Sequence, residues 1–212
     1  MSDILKEITQ KLYEGEEKEV SRLVQEGLST GLSPSVLLEE GLIAGMDKVG
    51  KDFKSGELFV PEVLIAARSM QAGMNILRPM LVGSNVASFG KIVLGTVKGD
   101  LHDIGKNLVK MMLEGAGFEI IDLGNNIPPQ AFVEAVRTHH PAIVGMSALL
   151  TTTMPQMKET ILALKTAGLR DSVKVIVGGA PVTEEYALQI GADAYGSDAA
   201  VAVDKARSLV TG

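Results

Sequence analysis

The chain has 212 residues, 46% of them hydrophobic and 22% charged, with a formal net charge of -6 and no cysteine. That composition describes a folded protein with room for one large core or two modest ones, and it excludes disulfides, thiolate metal sites, iron–sulfur clusters and a cysteine nucleophile. The negative charge repels phosphate backbones and anionic lipid heads, and without Trp the usual stacking platform for single strands is missing, so no nucleic acid and no membrane is expected as a partner.

The N-terminal stretch MSDILKEITQKLYEGEEKEV is acidic and amphipathic, and no apolar run has the length of a membrane span or signal sequence, which predicts a cytoplasmic protein. Helices are expected from there to about residue 84. Leu5, Ile8 and Leu12 open the first apolar stripe, Val20, Leu23, Val24 and Leu28 the second, and Leu38, Leu42, Met46, Val49 and Phe53 the third. A fourth runs through Val63, Ala67, Met70, Met74, Leu77 and Leu81. Ser33-Pro34 and Pro61 supply a cap and first-turn prolines where the third and fourth helices should start, and short connections suggest a small antiparallel bundle.

After residues 82–88 the pattern changes. β-Branched runs at 91–97, 119–124, 142–147 and 173–179, and a short one ending in AlaTyrGly, alternate with helices expected from about 105, 129, 155 and 184 and at the C-terminus. Five such alternations predict an α/β domain built on a five-stranded parallel sheet of the flavodoxin-like, Rossmann type, with helices on both faces. Two domains are therefore expected, a helical bundle over 1–86 and the sheet domain over 87–212. Parallel sheets bind ligands beyond the carboxyl ends of their strands. Here those ends carry the His102 loop, residues 147–153, Gly178 to Pro181, and Tyr195 to Asp198.

The first of these, GTVKGDLHDIGKN (95–107), holds one of only three histidines. The spacing from Gly99 to Gly105 and the Asn at 107 do not fit a phosphate loop, and GxGxxG is absent. Asp100 lies two residues before His102, where its carboxylate can accept the Nδ1 proton and leave Nε2 for a metal. One histidine cannot make a protein-only zinc site; it suffices if a macrocycle brings the other donors.

Asp100-x-His102-x-x-Gly105, then Ser147-x-Leu149, then Gly178-Gly179 resembles the three-part signature of cobalamin-binding domains that hold the cofactor with its own benzimidazole displaced. Residues 45–74 resemble the helical cap found beside this domain in methionine synthase and in the small corrinoid proteins of methyltransferase systems. The resemblance covers nearly the whole chain. It implies that His102 is the lower axial ligand of cobalt, that Asp100 orients it, and that Thr153 completes a His-Asp-hydroxyl relay. It further implies that Ser147, Leu149 and Thr151 line the slot for the benzimidazole tail, that Gly105, Gly178 and Gly179 let backbone approach it, and that Ala199 is a further contact. Phe53, Phe59 and Val60 would cover the upper face of the corrin.

Each residue taken alone has a plainer reading. Gly178-Gly179 can serve a tight turn, Ser147 and the threonines can cap a helix before Pro155, and Phe53 and Phe59 can be core. Asp103 and Lys106 read as solvated, and His139 and His140 are given no role. The joint occurrence favours the corrinoid reading.

What the resemblance implies is a methyl carrier with no catalytic residue of its own, holding cobalamin base-off and His-on, with methylcobalamin as the loaded state. It would take the methyl group from a substrate:corrinoid methyltransferase, with a methylated amine or betaine favoured over methanol or a methoxyaromatic. It would pass the group to a corrinoid:tetrahydrofolate or corrinoid:thiol methyltransferase, with a reductive activase as a possible third partner. No part of the chain is large enough for the barrel that would hold a methyl donor, so a freestanding carrier is expected. The alternatives are the cobalamin-binding subunit of a mutase and a cobalamin-dependent regulator.

Overall fold

A computed structural model describes residues 3–81 and 89–211. The expected domain boundary between 86 and 87, and the joining segment 82–88, lie outside the described residues. The chain divides into two compact units, the first helical and the second built on the sheet.

In the helical unit, α1 (Asp3–Tyr13) and α2 (Glu17–Ser29) are followed by one continuous helical stretch made of α3 (Pro34–Val36), a π-helical segment (Leu37–Ile43) and α4 (Ala44–Ser55); α5 (Val60–Leu81) closes the unit. Ser33 caps α3, its hydroxyl accepting the Val36 N–H at 3.3 Å, and Pro34 takes the first helical position, where its missing N–H leaves no bond unmade. Gly56 ends α4 in the left-handed region at φ 80°. The expected stripes form the core: Ile8, Leu12, Val20, Leu42, Val49 and Leu77 are fully enclosed. The π-helical turn is a departure from the expected regular helix. Thr9 Oγ1 lies 3.1 Å from the Gly41 carbonyl within it, and a Cβ on Gly41 would press on Ile8 at 3.1 Å.

The second unit is a parallel sheet in the order β2-β1-β3-β4-β5, formed by β1 (Lys91–Thr96), β2 (Glu119–Asp122), β3 (Ile143–Ser147), β4 (Lys174–Gly178) and β5 (Ala194–Gly196). Helices α6 (Ile104–Gly115), α7 (Pro129–His139), α8 (Pro155–Thr166), α9 (Glu184–Ile190) and α10 (Ala199–Thr211) connect and follow them. The α/β architecture expected from the alternating pattern is the one observed. Central strands read as nearly continuous apolar runs because both faces are covered; Val93, Val144, Val175 and Val177 pack with Phe132, Met157 and Ile161. Left-handed His140, φ 46°, terminates α7.

Register places the strand ends together. Thr96 pairs with Ser147, Ser147 with Gly178, and Gly178 with Gly196, one row across the sheet. Strand order reverses between β1 and β3, so the segments leaving Thr96 and Ser147 flank the switch point where such sheets take ligands.

Candidate functional site

The turn after β1 begins with the Asp100 N–H donating to the Val97 carbonyl at 3.1 Å, with Gly99 left-handed at φ 81°. The three glycines of the motif differ in purpose. Gly99 serves this turn, and Gly95 lies under Phe132, whose ring would stand 2.9 Å from a Cβ. Gly105 has nothing within 4 Å of where its Cβ would be, so it leaves open space rather than filling a packing need.

Asp100 is fully buried. Its Oδ1 accepts the His102 backbone N–H at 3.1 Å and faces His102 Nδ1 at 2.8 Å. Its Oδ2 accepts the Leu149 N–H at 2.7 Å, the Leu150 N–H at 3.2 Å and the Thr153 hydroxyl at 2.7 Å. Burial works to raise the Asp100 pKa, but hydrogen bonds from Thr153, Leu149 and His102 outweigh it and hold the carboxyl far below its usual range. An ionised carboxylate only accepts, so Nδ1 of His102 carries the hydrogen, and in the neutral imidazole Nε2 is then the nitrogen with the lone pair. The imidazole is half exposed, 52%, while the carboxylate behind it is inaccessible.

Asp100, His102, Leu149 and Thr153 are thus brought together. Ser147 is half-buried at the end of β3, and Thr151 is exposed on the segment between Leu149 and Thr153. Gly178 and Gly179 are constrained by this chain's own backbone: a Cβ on Gly178 would stand 2.9 Å from the Gly196 carbonyl, and one on Gly179, at φ 129°, would overlap the Ala148 carbonyl. Ala199 is buried in the first turn of α10. In the helical unit Phe53 is half-buried, while Phe59 and Val60, at the start of α5, are exposed.

The expectation that Lys106 is solvated is corrected. Its side chain is 1% exposed, and Nζ donates to Asp122 Oδ1 at 2.6 Å and Asn107 Oδ1 at 2.9 Å. Asp122 ends β2 beside β1 and also accepts the Gly124 N–H at 2.9 Å and Lys110 at 3.2 Å. Burial raises the Asp122 pKa, but the Lys106 bond and the Gly124 N–H more than offset it and lower the carboxyl overall. No local pattern separates this lysine from a solvated one. Asp103 is half-buried.

The donor set fits a corrinoid. Among the described residues no three His, Asp or Glu side chains gather to hold an ion. A single fixed imidazole with a free nitrogen serves a metal whose other ligands come with a macrocycle. Leu101 and Ile104, 68% and 84% exposed, flank it in sequence, and half-exposed Leu149 and Leu150 share its carboxylate, offering apolar surface at one sheet end.

Comparison with known proteins agrees. Models of the B12 binding domain match residues 90–204 and, separately, residues 4–78. The chain belongs to the family of B12-binding corrinoid proteins, and its cofactor is cobalamin. It is 41% identical over 210 residues to trimethylamine corrinoid protein 1 of Methanosarcina acetivorans, covering 98% of this chain and 97% of that one. It is 43% identical to dimethylamine corrinoid protein 2 of the same organism, over 99% and 97%. Among solved structures, a chain of the methanol:cobalamin methyltransferase complex of Methanosarcina barkeri superposes with a TM-score of 0.90 at 30% identity, covering 100% of this chain and 81% of that one. A cobalamin-binding protein from Desulfitobacterium hafniense gives 0.81 at 37%, over 97% and 98%. No helix among the described residues is long and apolar enough to cross a membrane.

Proposed function

We propose that this chain is the methyl carrier of a methylated-amine methyltransferase system and has no catalytic residue of its own. The observation that carries the reading is the His102 imidazole, held through Nδ1 by a fully buried carboxylate with Nε2 free. Relatives named for trimethylamine and dimethylamine, matched end to end at 41–43% identity, support an amine as methyl donor over methanol. Bound cobalamin supplies the cobalt that takes up and gives back the methyl group.

The protein's part is to present and tune. His102 would hold the cobalt through Nε2; Asp100 fixes the orientation of the imidazole, and Thr153 fixes Asp100 in turn. Five donors converge on the Asp100 carboxylate and hold it as the anion, so the group behind the imidazole stays a hydrogen-bond acceptor. Open Gly105, together with Ser147, Leu149, Thr151, Gly178, Gly179 and Ala199, would form the bed for the cofactor's displaced base. Phe53, Phe59 and Val60 of the helical unit would shield the methyl group of the bound cofactor. The partners are a cytoplasmic amine:corrinoid methyltransferase and a second methyltransferase acting on tetrahydrofolate or a thiol, with a reductive activase.

The test is to offer the reduced, cobalamin-loaded protein methyl-labelled trimethylamine, dimethylamine, monomethylamine, glycine betaine or methanol, each with its own corrinoid methyltransferase. Label should reach the carrier from an amine. Transfer from methanol alone would overturn the amine assignment.

A further inference from the structure

The motif does not mark Gly124, Asn125 and Asn126, the residues that follow β2, yet they hold the His102 loop. Asn126 is left-handed, φ 55°. Its Oδ1 accepts the Gly99 N–H at 2.7 Å, and its own N–H donates to the Asp100 carbonyl at 2.9 Å. Asn125 Nδ2 donates to the Leu101 carbonyl at 3.3 Å. Thr96, whose N–H donates to the Gly124 carbonyl at 3.0 Å, gives its hydroxyl to the His102 carbonyl at 3.0 Å. A backbone group on each of the four consecutive residues Gly99 to His102 is therefore tied down. The clamping segment is itself anchored by Asp122, which takes the Gly124 N–H and, from the far side of His102, Lys106.

The Asp100 contact fixes the ring relative to the loop; it does not fix the loop. That second constraint is needed if Nε2 is to meet a metal without paying ordering entropy on binding. Residue 126 must combine a positive φ with a side-chain acceptor, which Asn and Asp do and Gly does not.

We infer that Asn126 is a positioning residue that holds the His102 loop in its cobalt-ligating geometry. This rests on the reading that His102 meets cobalt. The test uses wild type, Asn126→Gly and Asn126→Asp loaded with cobalamin and reduced to the cobalt(II) state. Electron paramagnetic resonance then reports whether an axial nitrogen splits the cobalt lines, and titration gives affinity. Asn126→Gly keeps the backbone geometry and the donor but loses the acceptor; it should lose most of the nitrogen signature and bind about 10-fold more weakly. Asn126→Asp should stay within about twofold of wild type, as only a positioning role requires. A wild-type signature and affinity in Asn126→Gly would overturn the inference while leaving His102 as ligand. A wild type without protein nitrogen on cobalt would instead overturn the parent reading and this one with it. Gly99 provides a measurement that needs no variant: although exposed, its amide should exchange slowly in the apoprotein, and exchange at the free-peptide rate would refute the clamp.

Discussion

Thr153 and Asp100 stand 53 positions apart in the chain and 2.7 Å apart in space, hydroxyl to carboxylate. The contact joins the segment after β3 to the segment after β1 across the point where strand order reverses. Removing the hydroxyl as Thr153→Val should cost about 1.5–3 kcal/mol, the usual range for a bond to a charged group. Thr153→Ser should restore most of it. Chemical denaturation of the apoproteins measures both.

Asp100→Asn tests the charge. The folded-state pKa of Asp100 is depressed, so its stabilising contribution is present above the unfolded value near 4 and is lost as pH falls through the folded value. The stability difference between wild type and Asp100→Asn should shrink as pH falls below about pH 4. A gap that stayed flat down to pH 2 would show that charge is not the source. Cobalamin affinity of the variant should fall by about 10 to 100-fold.

Lys106→Met leaves Asp122 facing an apolar group. Lys106 is buried but Asp122 is 21% exposed and keeps Lys110, so the loss should be about 2 kcal/mol, below the range for fully enclosed pairs. The double variant Lys106→Met/Asp122→Leu should recover part of it, read from the same denaturation curves.

Gly179→Ala and Gly105→Ala should part company. Alanine at 179 meets the Ala148 carbonyl at a backbone angle it rarely adopts, and should cost at least about 2 kcal/mol of apoprotein stability. Alanine at 105 lies in the first turn of α6 with open space around it and should be neutral or gain up to about 1 kcal/mol. Its cofactor affinity should nonetheless drop, because the open space is where the cofactor's backbone contact is proposed. Melting curves with and without cobalamin separate the two effects.

Legibility in the sequence followed the range of the interaction. Pro34, Pro129 and Pro155 mark helix starts through their own geometry, and α3, α7 and α8 begin at them. Asp100 and His102, two residues apart, were readable as a pair because the contact is local. The Leu150 N–H, by contrast, reaches Asp100 only through strand order, and the π-helical turn has its Gly41 carbonyl met by Thr9 from another helix. Lys106 and Asn126 carried no local mark. A lysine is solvated by default and an Asn after a strand is a turn residue by default, so only the placement of β2 beside β1 brings Lys106 to Asp122 and Asn126 to Gly99.

The most direct test of the account is the ultraviolet–visible spectrum of the apoprotein reconstituted with hydroxocobalamin, beside His102→Ala. Wild type should retain stoichiometric cofactor with its own base displaced and a protein imidazole on cobalt, and His102→Ala should lose that axial-ligand spectrum. A variant spectrum identical to wild type would contradict the assignment of His102 as the cobalt ligand.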